Sequence, residues 1–396
     1  MSRFRIYPTR EQEAALLAHC GHARFVWNLA CEQQTWWRPG RGNPPAHAER
    51  NRQLTEARRE FPWLAAGSVT VQQQALRDFQ QAMTNFFSGS HRRPTWRKAG
   101  QHEGFRIVGS QARRVVKLSR KWSAVKVPKV GWVKLRRSRT IPDAASYRIT
   151  RDRAGRWHIA FVAIPETTPA PETGEVVGVD RGVAASIATS TGELSSVPGL
   201  TAGEAERKLR LERRLARARK GSNRRKKLKQ QLARLRAREA DRRTDWIEQT
   251  STWLARRFDV IVLEDLNIRA MTASAKGTVD QPGRNVRQKA GLNRGVLASG
   301  WGRLATRLEH KAPGRVVYVE AAYTSQRCST CGHVAAESRE SQVVFRCVAC
   351  NVELHADVNA AINIASAAGR AVPAHGDLQT QVGSAKWEPP TAAQAA

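Results

Sequence analysis

The sequence is poor in acidic residues. It carries 34 Asp and Glu against 67 Lys and Arg over 396 residues, a net charge of +33. Such a field is far from that of an ordinary soluble metabolic enzyme and makes nucleic acid the expected partner. Long apolar runs are missing too. None approaches the 18 residues of a transmembrane helix, and the opening MSRFRIYPTREQE lacks the apolar centre of a secretory signal. A cytoplasmic location with no membrane partner is the expectation. Cysteine is scarce at six, which in a reducing compartment argues against a disulfide framework and turns attention to spacing. Tyrosine is scarcer still, at 4 against 12 tryptophans, so base stacking would fall to tryptophan, with Trp96 the best candidate. No internal repeat is found. With 41% apolar residues the chain is nevertheless no disordered polycation, and its length suits two or three domains.

Residues 10–100 read as a helical unit. Thr9-Arg10-Glu11-Gln12 has the form of a capping box, and apolar residues then recur at helical spacing from Leu16 to Leu29 and from Val71 to Phe87. Between about 102 and 166 the period shortens to that of strands (FRIV, RVVKL, AVKVPKV, WVKLRR, SYRIT, RWHIAFVAI), a count that suits a small β-barrel. A proline-rich linker follows, and GEVVGVDRGV at 174–183 starts a new domain. Within it, 206–243 holds 18 basic against 4 acidic residues, with leucines on one face and Gly221-Ser222-Asn223 as a break, so two antiparallel helices in contact with phosphates are expected. A separate helix (DWIEQTSTWLARRF), the strand DVIVLEDLNI, a Gly/Lys/Arg loop over 283–295, another helix and the strand RVVYVE come next. Residues 367–396 read as a disordered tail.

Two constellations carry chemistry. Asp180 and Glu264 each close an apolar strand, and Asp357 stands at the start of the last helix, in LHADVNAAINIA. Singly each reads as a turn former or cap. If the two strands are sheet neighbours, however, their carboxylates emerge at one edge, where open α/β sheets bind ligands. Three clustered carboxylates in a strongly basic chain then suggest a two-Mg²⁺ site for phosphodiester hydrolysis. The second constellation is Cys328-x-x-Cys331, fifteen residues, and Cys347-x-x-Cys350. Two matched knuckles place four thiolates about one structural Zn²⁺, in preference to a redox pair or disulfides. Cys20 and Cys31 read as ordinary buried residues. Candidate nucleic-acid contacts are Arg92, Arg93, Trp96 and Arg97 in one basic loop, Arg224, Arg225, Lys226 and Lys227 in the basic hairpin, and Arg284, Arg287, Lys289 and Arg294 in the glycine-containing loop.

The succession GVDRG, VLEDLNI, RNVRQKAGLNR, YTSQRCSTCGH, FRCVACN and HADVNAAINIA, with the opening RFRIYPTREQEAALLAHCGHARFVWN, resembles the TnpB proteins of bacterial insertion sequences, relatives of the type V CRISPR nucleases. The resemblance implies a multidomain α+β and α/β chain. A wedge-type β-barrel (1–9 and 101–166) would carry a helical recognition domain (10–100). A linker (167–174) would lead to an RNase H-like RuvC nuclease domain (175–327 and 351–366) that contains the basic hairpin. A zinc-ribbon-type target-nucleic-acid-binding module (328–350) would be inserted in it.

The acidic triad then maps onto Asp180, Glu264 and Asp357. Asp180 would bridge two Mg²⁺ (or Mn²⁺) ions, with one of the other acids completing each site. The implied partners are a guide RNA transcribed from the transposon end and double-stranded DNA cut beside a short transposon-adjacent motif. One or two protein copies would act on one RNA, in association with the nucleoid. Arg181 follows the first acid where many relatives have an apolar residue, leaving phosphate contact or an outward direction as its alternatives. A catalytically idle RNA-guided repressor or transposition regulator would share every feature but the need for the triad, and an RNA-independent DNA-joining transposase would share the acids alone.

Overall fold

The computed structural model describes residues 2–36, 44–101, 103–164 and 166–371. The chain divides into two compact units, one made of residues up to 166 together with 200–241, the other of 167–199 and the residues from 242 onward. The basic hairpin, which the sequence reading counted within the span of the nuclease domain, therefore groups with the first unit.

The first unit opens with β1 (Ser2–Tyr7), followed by α1 (Arg10–Thr35), α2 (His47–Glu60), α3 (Pro62–Ala66) and α4 (Val69–Phe87). The capping box at Thr9 and Gln12 forms in both directions and satisfies backbone N–H groups that the first turn of α1 leaves open. Leu16, Cys20, Ala23, Trp27 and Cys31 give α1 one buried stripe, against which Val71, Ala75, Phe79 and Met83 of α4 pack. Strands β2 (Gly104–Val108), β3 (Val115–Lys117), β4 (Trp122–Val127), β5 (Gly131–Arg136), β6 (Ser146–Arg151) and β7 (Trp157–Phe161) complete a seven-stranded sheet ordered β2-β6-β7-β1-β5-β4-β3. Alternation decides which side is buried, as with Val133 and Leu135 of β5 or Tyr147 and Ile149 of β6. The N-terminal strand lies between β7 and β5, so the start of the chain is built into the sheet that forms after residue 101.

Helix α5 (Ala202–Arg217) and the first part of α6 (Asn223–Arg257) close the hairpin over Leu211, Leu228, Leu232 and Leu235. The sequence reading separated the basic helix from DWIEQTSTWLARRF; the structure makes them one helix of 35 residues. No glycine or proline falls between 223 and 257 to interrupt it.

In the second unit, β8 (Val176–Asp180), β9 (Ile187–Thr189), β10 (Leu194–Ser195), β11 (Val260–Glu264) and β12 (Val316–Val319) form a sheet ordered β10-β9-β8-β11-β12. Strands β8, β11 and β12 are parallel, and β9 and β10 run antiparallel at one edge. Helices α7 (Ile268–Met271), α8 (Val286–Ser299) and α9 (Trp301–Lys311) follow, then β13 (Val344–Arg346), β14 (Glu353–His355) and α10 (Ala356–Ala371). The segment 283–295, expected as a loop on the strength of its glycines, is helical from Val286. Gly295 is there for proximity: a Cβ on it would lie 2.8 Å from Val183 Cγ1. Residues 367–371, assigned to the disordered tail, continue α10 in an alanine-rich turn that favours helix; the rest of that tail lies outside the described residues.

Pleating sorts the sheet into two faces. Val177 and Val179 pack with Ile247, Leu254 and Leu308 on one side. Val262 packs with Ile364 and Ala368 of α10 on the other. Gly178 belongs to the α10 side, and a Cβ there would sit 2.0 Å from Ala361 O and 2.5 Å from Ala365 N. Backbone thus lies directly on backbone, a separation only glycine permits. Gly178→Ala must push α10 outward and is expected to lower stability by about 3 kcal/mol or more, at the upper end of overpacking effects. Gly199→Ala, at a position with open space around it, should change stability by less than about 0.5 kcal/mol. Urea denaturation of the two variants checks this, and equal values would remove the close-packing account.

Candidate active site and metal centre

Strands β8 and β11 pair in register with Val179 opposite Leu263, so Asp180 and Glu264 occupy equivalent positions at adjacent parallel strand ends. By alternation both share the face of Gly178 and Val262, the face covered by α10. That helix runs back along β8: Ala365 and Ala361 meet Gly178, and Asp357 in its first turn reaches Gly182, where a Cβ would lie 3.6 Å from Asp357 Oδ2. The three carboxylates predicted from sequence are thereby brought to one sheet edge.

Glu264 and Asp357 are buried, at 7% and 6% exposure, while Asp180 is partly open to solvent. Burial first, and then the neighbouring Glu264 and Asp357 charges, push the Asp180 carboxyl up to about 7 against the opposing Arg339.

Each acid has its own support. Thr324 Oγ1 donates to Glu264 Oε1 at 2.7 Å. Arg339 Nη2 donates to Asp357 Oδ1 at 3.0 Å. The Asp357 N–H donates to His355 Nδ1 at 3.2 Å, so His355 caps the start of α10. Arg181 takes neither course left open by its sequence. Its side chain is 5% exposed and its guanidinium donates to the Glu264 carbonyl, fastening the end of β8 to the end of β11. Thr324 and Arg339 were not foreseen. Thr324 stood in the quoted motif YTSQRC without a role, and nothing in the spacing of Arg339 singles it out.

The four predicted cysteines also converge. Their sulfurs all lie within 4.8 Å of one another, with Cys328 to Cys350 at 3.7 Å and Cys331 to Cys347 at 3.6 Å. Tetrahedral zinc with Zn–S near 2.3 Å requires S···S edges of about 3.8 Å, whereas a disulfide requires about 2.05 Å. The sulfur positions therefore fit zinc and not disulfides.

The knuckles share one geometry. Gly332 and Asn351, each just past the second cysteine, adopt left-handed φ of 78° and 58° and return their N–H to the carbonyls of Cys328 and Cys347, both at 2.9 Å. The Cys347 thiol is held down to about 6, chiefly by the N–H of Cys350, while the Cys350 thiol, despite the N–H of Val352, is pushed up by desolvation and by sharing hydrogen bonds with the other three sulfurs, so without a cation the cluster keeps protons that a metal would displace. Among the described residues these cysteines are the one group of potential metal ligands packed this closely; the three carboxylates are more widely spread.

Helix α10 joins the two centres. Asn359 accepts from the Ser329 N–H at 2.9 Å and donates to Arg327 O at 2.8 Å. One turn on, Asn363 donates to Thr324 O at 2.9 Å and to Arg327 O at 2.7 Å. The two asparagines of HADVNAAIN thus anchor the chain on both sides of Cys328.

The candidate nucleic-acid contacts separate into engaged and unengaged groups. Arg97 stacks on Trp27 at 3.5 Å, and burial lowers its pKa to about 10 despite the opposing Asp78; it acts in packing. Trp96 beside it is 54% exposed, Arg92 is exposed, and Arg93 reaches the Gln34 carbonyl at 3.5 Å. Arg225 caps α5 by donating to the Leu215 and Ala218 carbonyls at 2.6 and 2.8 Å, whereas Arg224, Lys226 and Lys227 are exposed. Lys289 donates to the Met271 carbonyl at 2.7 Å; Arg284, Arg287 and Arg294 are exposed, the last two on α8.

Comparison with known proteins is consistent along the chain. Family models match as "Helix-turn-helix domain" over 2–42, "Probable transposase" (OrfB_IS605) over 159–275 and "Cas12f1-like, TNB domain" over 301–364. Within the first match the described residues form one strand and one long helix. The chain is 35% identical to "Putative RNA-guided DNA endonuclease InsQ" of Escherichia coli (strain K12), covering 99% of this chain and 98% of that protein. It is 31% identical to a "Putative RNA-guided DNA endonuclease" of Streptomyces pristinaespiralis, covering 95% of this chain and 90% of that protein. A solved Cas12f1 in its complex with sgRNA and target DNA matches with TM-score 0.49 at 13% identity, over 90% of this chain and 82% of that one. No helix among the described residues is long and apolar enough to cross a membrane.

Purified protein should carry about one zinc per chain, and Cys347→Ser should lose most of it with a lowered melting temperature. Elemental analysis decides: retention of the full content by the variant would dispose of the four-cysteine site.

Proposed function

The chain belongs to the TnpB family of insertion-sequence proteins, and from that premise we propose that it is an RNA-guided DNA endonuclease with Asp180, Glu264 and Asp357 as its catalytic carboxylates. The observation that carries the reading is the meeting of three carboxylates, from two adjacent parallel strand ends and one helix start, on one sheet face of a chain with net charge +33. A protein that only binds nucleic acid has no use for that arrangement. The mixed five-stranded sheet supports reading the second unit as an RNase H-like RuvC domain with the zinc module inserted. The seven-stranded sheet and α1–α4 support the wedge and recognition assignments.

The donor chemistry fits the metals. Carboxylate oxygens suit Mg²⁺ or Mn²⁺, and the raised pKa of Asp180, set first by burial and then by the Glu264 and Asp357 charges, marks a cost of ionisation that dications relieve. When bound, two such ions supply an activated water and stabilise the leaving 3′ oxygen. The protein's part is positional. Arg181 and Thr324 hold Glu264, and His355 and Arg339 hold Asp357. Arg339, 28% exposed, is also the cation at this edge that can reach a scissile phosphate. Guide pairing reads the target sequence while basic surfaces grip the duplex backbone, and the first unit reads a short adjacent motif.

Cleavage of a plasmid library with a fixed target and a randomised flank tests the reading, using protein co-expressed with RNA from its own transposon end. The unmutated complex should cut beside one enriched motif. Asp180→Ala, Glu264→Gln and Asp357→Asn should each retain RNA and lose cutting to below detection. Persistent cutting by Asp180→Ala rejects the triad, and RNA retention without cutting by any form favours the idle-binder alternative.

The acidity of Asp180 sets a pH dependence. Its carboxyl, with a pKa near 7, is largely protonated at pH 6 and ionised at pH 8, so protons compete with the cation below 7. The Mg²⁺ concentration needed for half-maximal thermal stabilisation should rise by about tenfold per pH unit there. Equal Mg²⁺-induced melting shifts at pH 6 and pH 8 would contradict the assignment.

A further inference from the structure

Two of the three carboxylates each depend on one neighbouring side chain. Among the described residues, Thr324 is the one side chain that donates to the Glu264 carboxylate, at 2.7 Å, and Arg339 is the one that donates to the Asp357 carboxylate, at 3.0 Å. Thr324 lies just ahead of the first cysteine knuckle, and Arg339 lies between the two knuckles.

Each donor is tied back to a knuckle. Asn363, itself buried, donates both to the Thr324 carbonyl and to that of Arg327, the residue before Cys328, at 2.9 and 2.7 Å. The chain entering the first knuckle and the hydroxyl on Glu264 thus share one anchor. On the other side Ser338, fully buried, accepts the N–H of Val348 at 3.2 Å. Val348 directly follows Cys347, and Arg339 directly follows Ser338. The first knuckle therefore sets Glu264, and the second sets Asp357.

Each knuckle is closed by its own strand contact, Arg327 with Val334 and Arg346 with Glu353. What joins one to the other is the sulfur cluster, with the small apolar core of Cys328, Phe345, Cys347 and Ala356 around it. The sulfur contacts at 3.7 and 3.6 Å both cross between knuckles, Cys328 to Cys350 and Cys331 to Cys347. One cation shared by four sulfurs locks the knuckles to each other, and with them the two acids.

We propose that the cysteine cluster positions the carboxylates of the candidate active site through two links, one by Asn363 and Thr324 and one by Ser338 and Arg339, so that zinc at the sulfurs and Mg²⁺ at the acids each raise the affinity for the other. Such coupling is reciprocal, because either order of binding ends in the same state. The inference rests on the cation site of the proposed function and asks nothing of RNA or of cleavage.

Zinc affinity of the full chain is measured by equilibrium competition with a coloured chelator that takes zinc and not magnesium, with and without saturating Mg²⁺. Mg²⁺ should lower the zinc dissociation constant by about fivefold or more, the lower end of the usual coupling between linked sites. Asp180→Asn, which weakens the acidic site and touches neither link, should lose that dependence. Thr324→Val and Ser338→Ala cut one link each. Both should still bind about one zinc per chain while the Mg²⁺ effect shrinks, and Thr324→Ser, which keeps the hydroxyl, should restore it. A side chain that merely supported the module would change zinc affinity equally with and without Mg²⁺. A zinc dissociation constant indifferent to Mg²⁺ overturns the proposal, as does an undiminished effect in both link variants or one that survives Asp180→Asn. If a link variant fails to fold, the unmutated protein and Asp180→Asn still decide. The Mg²⁺-induced melting shift of the same samples separates the two readings. A shift without a change in zinc affinity removes the coupling alone, and no shift removes the acidic cation site and the coupling with it.

Discussion

The second unit depends on the absence of one side chain. At Gly178 the backbone of α10 rests on β8 with no Cβ between them, and the register of that contact decides everything further along both elements. Two residues on, β8 delivers Asp180; one turn toward its start, α10 delivers Asp357. Because β11 pairs in register with β8, Glu264 joins them without any further device. Three acids that would repel one another in water are held together by a packing contact made some distance from their charges.

Around that contact the site is braced from both sides. Arg181, buried under the strand ends, replaces what could have been an apolar plug with a hydrogen bond to the Glu264 carbonyl, and its burial is tolerable because Glu264, Asp180 and Asp265 surround it with negative charge. On the opposite side the four-cysteine segment and the chain leading into it hold Glu264 through Thr324 and Asp357 through Arg339. Tyr323, immediately before Thr324, takes a left-handed φ of 61°, a local strain of the kind that accumulates where a side chain must be aimed.

What could be read from the sequence follows from range. The three carboxylates and the four cysteines were legible because each residue announces itself locally, at a strand end, a helix start or a two-residue knuckle. The capping box at Thr9 and the alternating strands were legible for the same reason. The helical stretch 286–295 was not, because Gly291 and Gly295 mark a loop in sequence while Gly295 in space serves a close approach to Val183. The join of α6 across residue 243 was missed because a change from basic to mixed composition was taken for a break, although no residue there stops a helix. Thr324, Arg339, Asn359 and Asn363 act across 18 to 60 residues of chain, which no local pattern records.

The attachment of the cysteine segment bears on how such a protein can be recombined. Its flanking chain is tied by Asn359 and Asn363, and its interior returns a guanidinium to Asp357. A chimera spliced at the cysteines, with the segment exchanged for one from a relative, would inherit the four sulfurs yet leave Asn359 facing a foreign N–H in place of that of Ser329 and Asp357 without the counter-charge of Arg339. The unit of exchange is longer, from Tyr323 to the end of α10. Within it cysteines, acid and helix have one common inheritance.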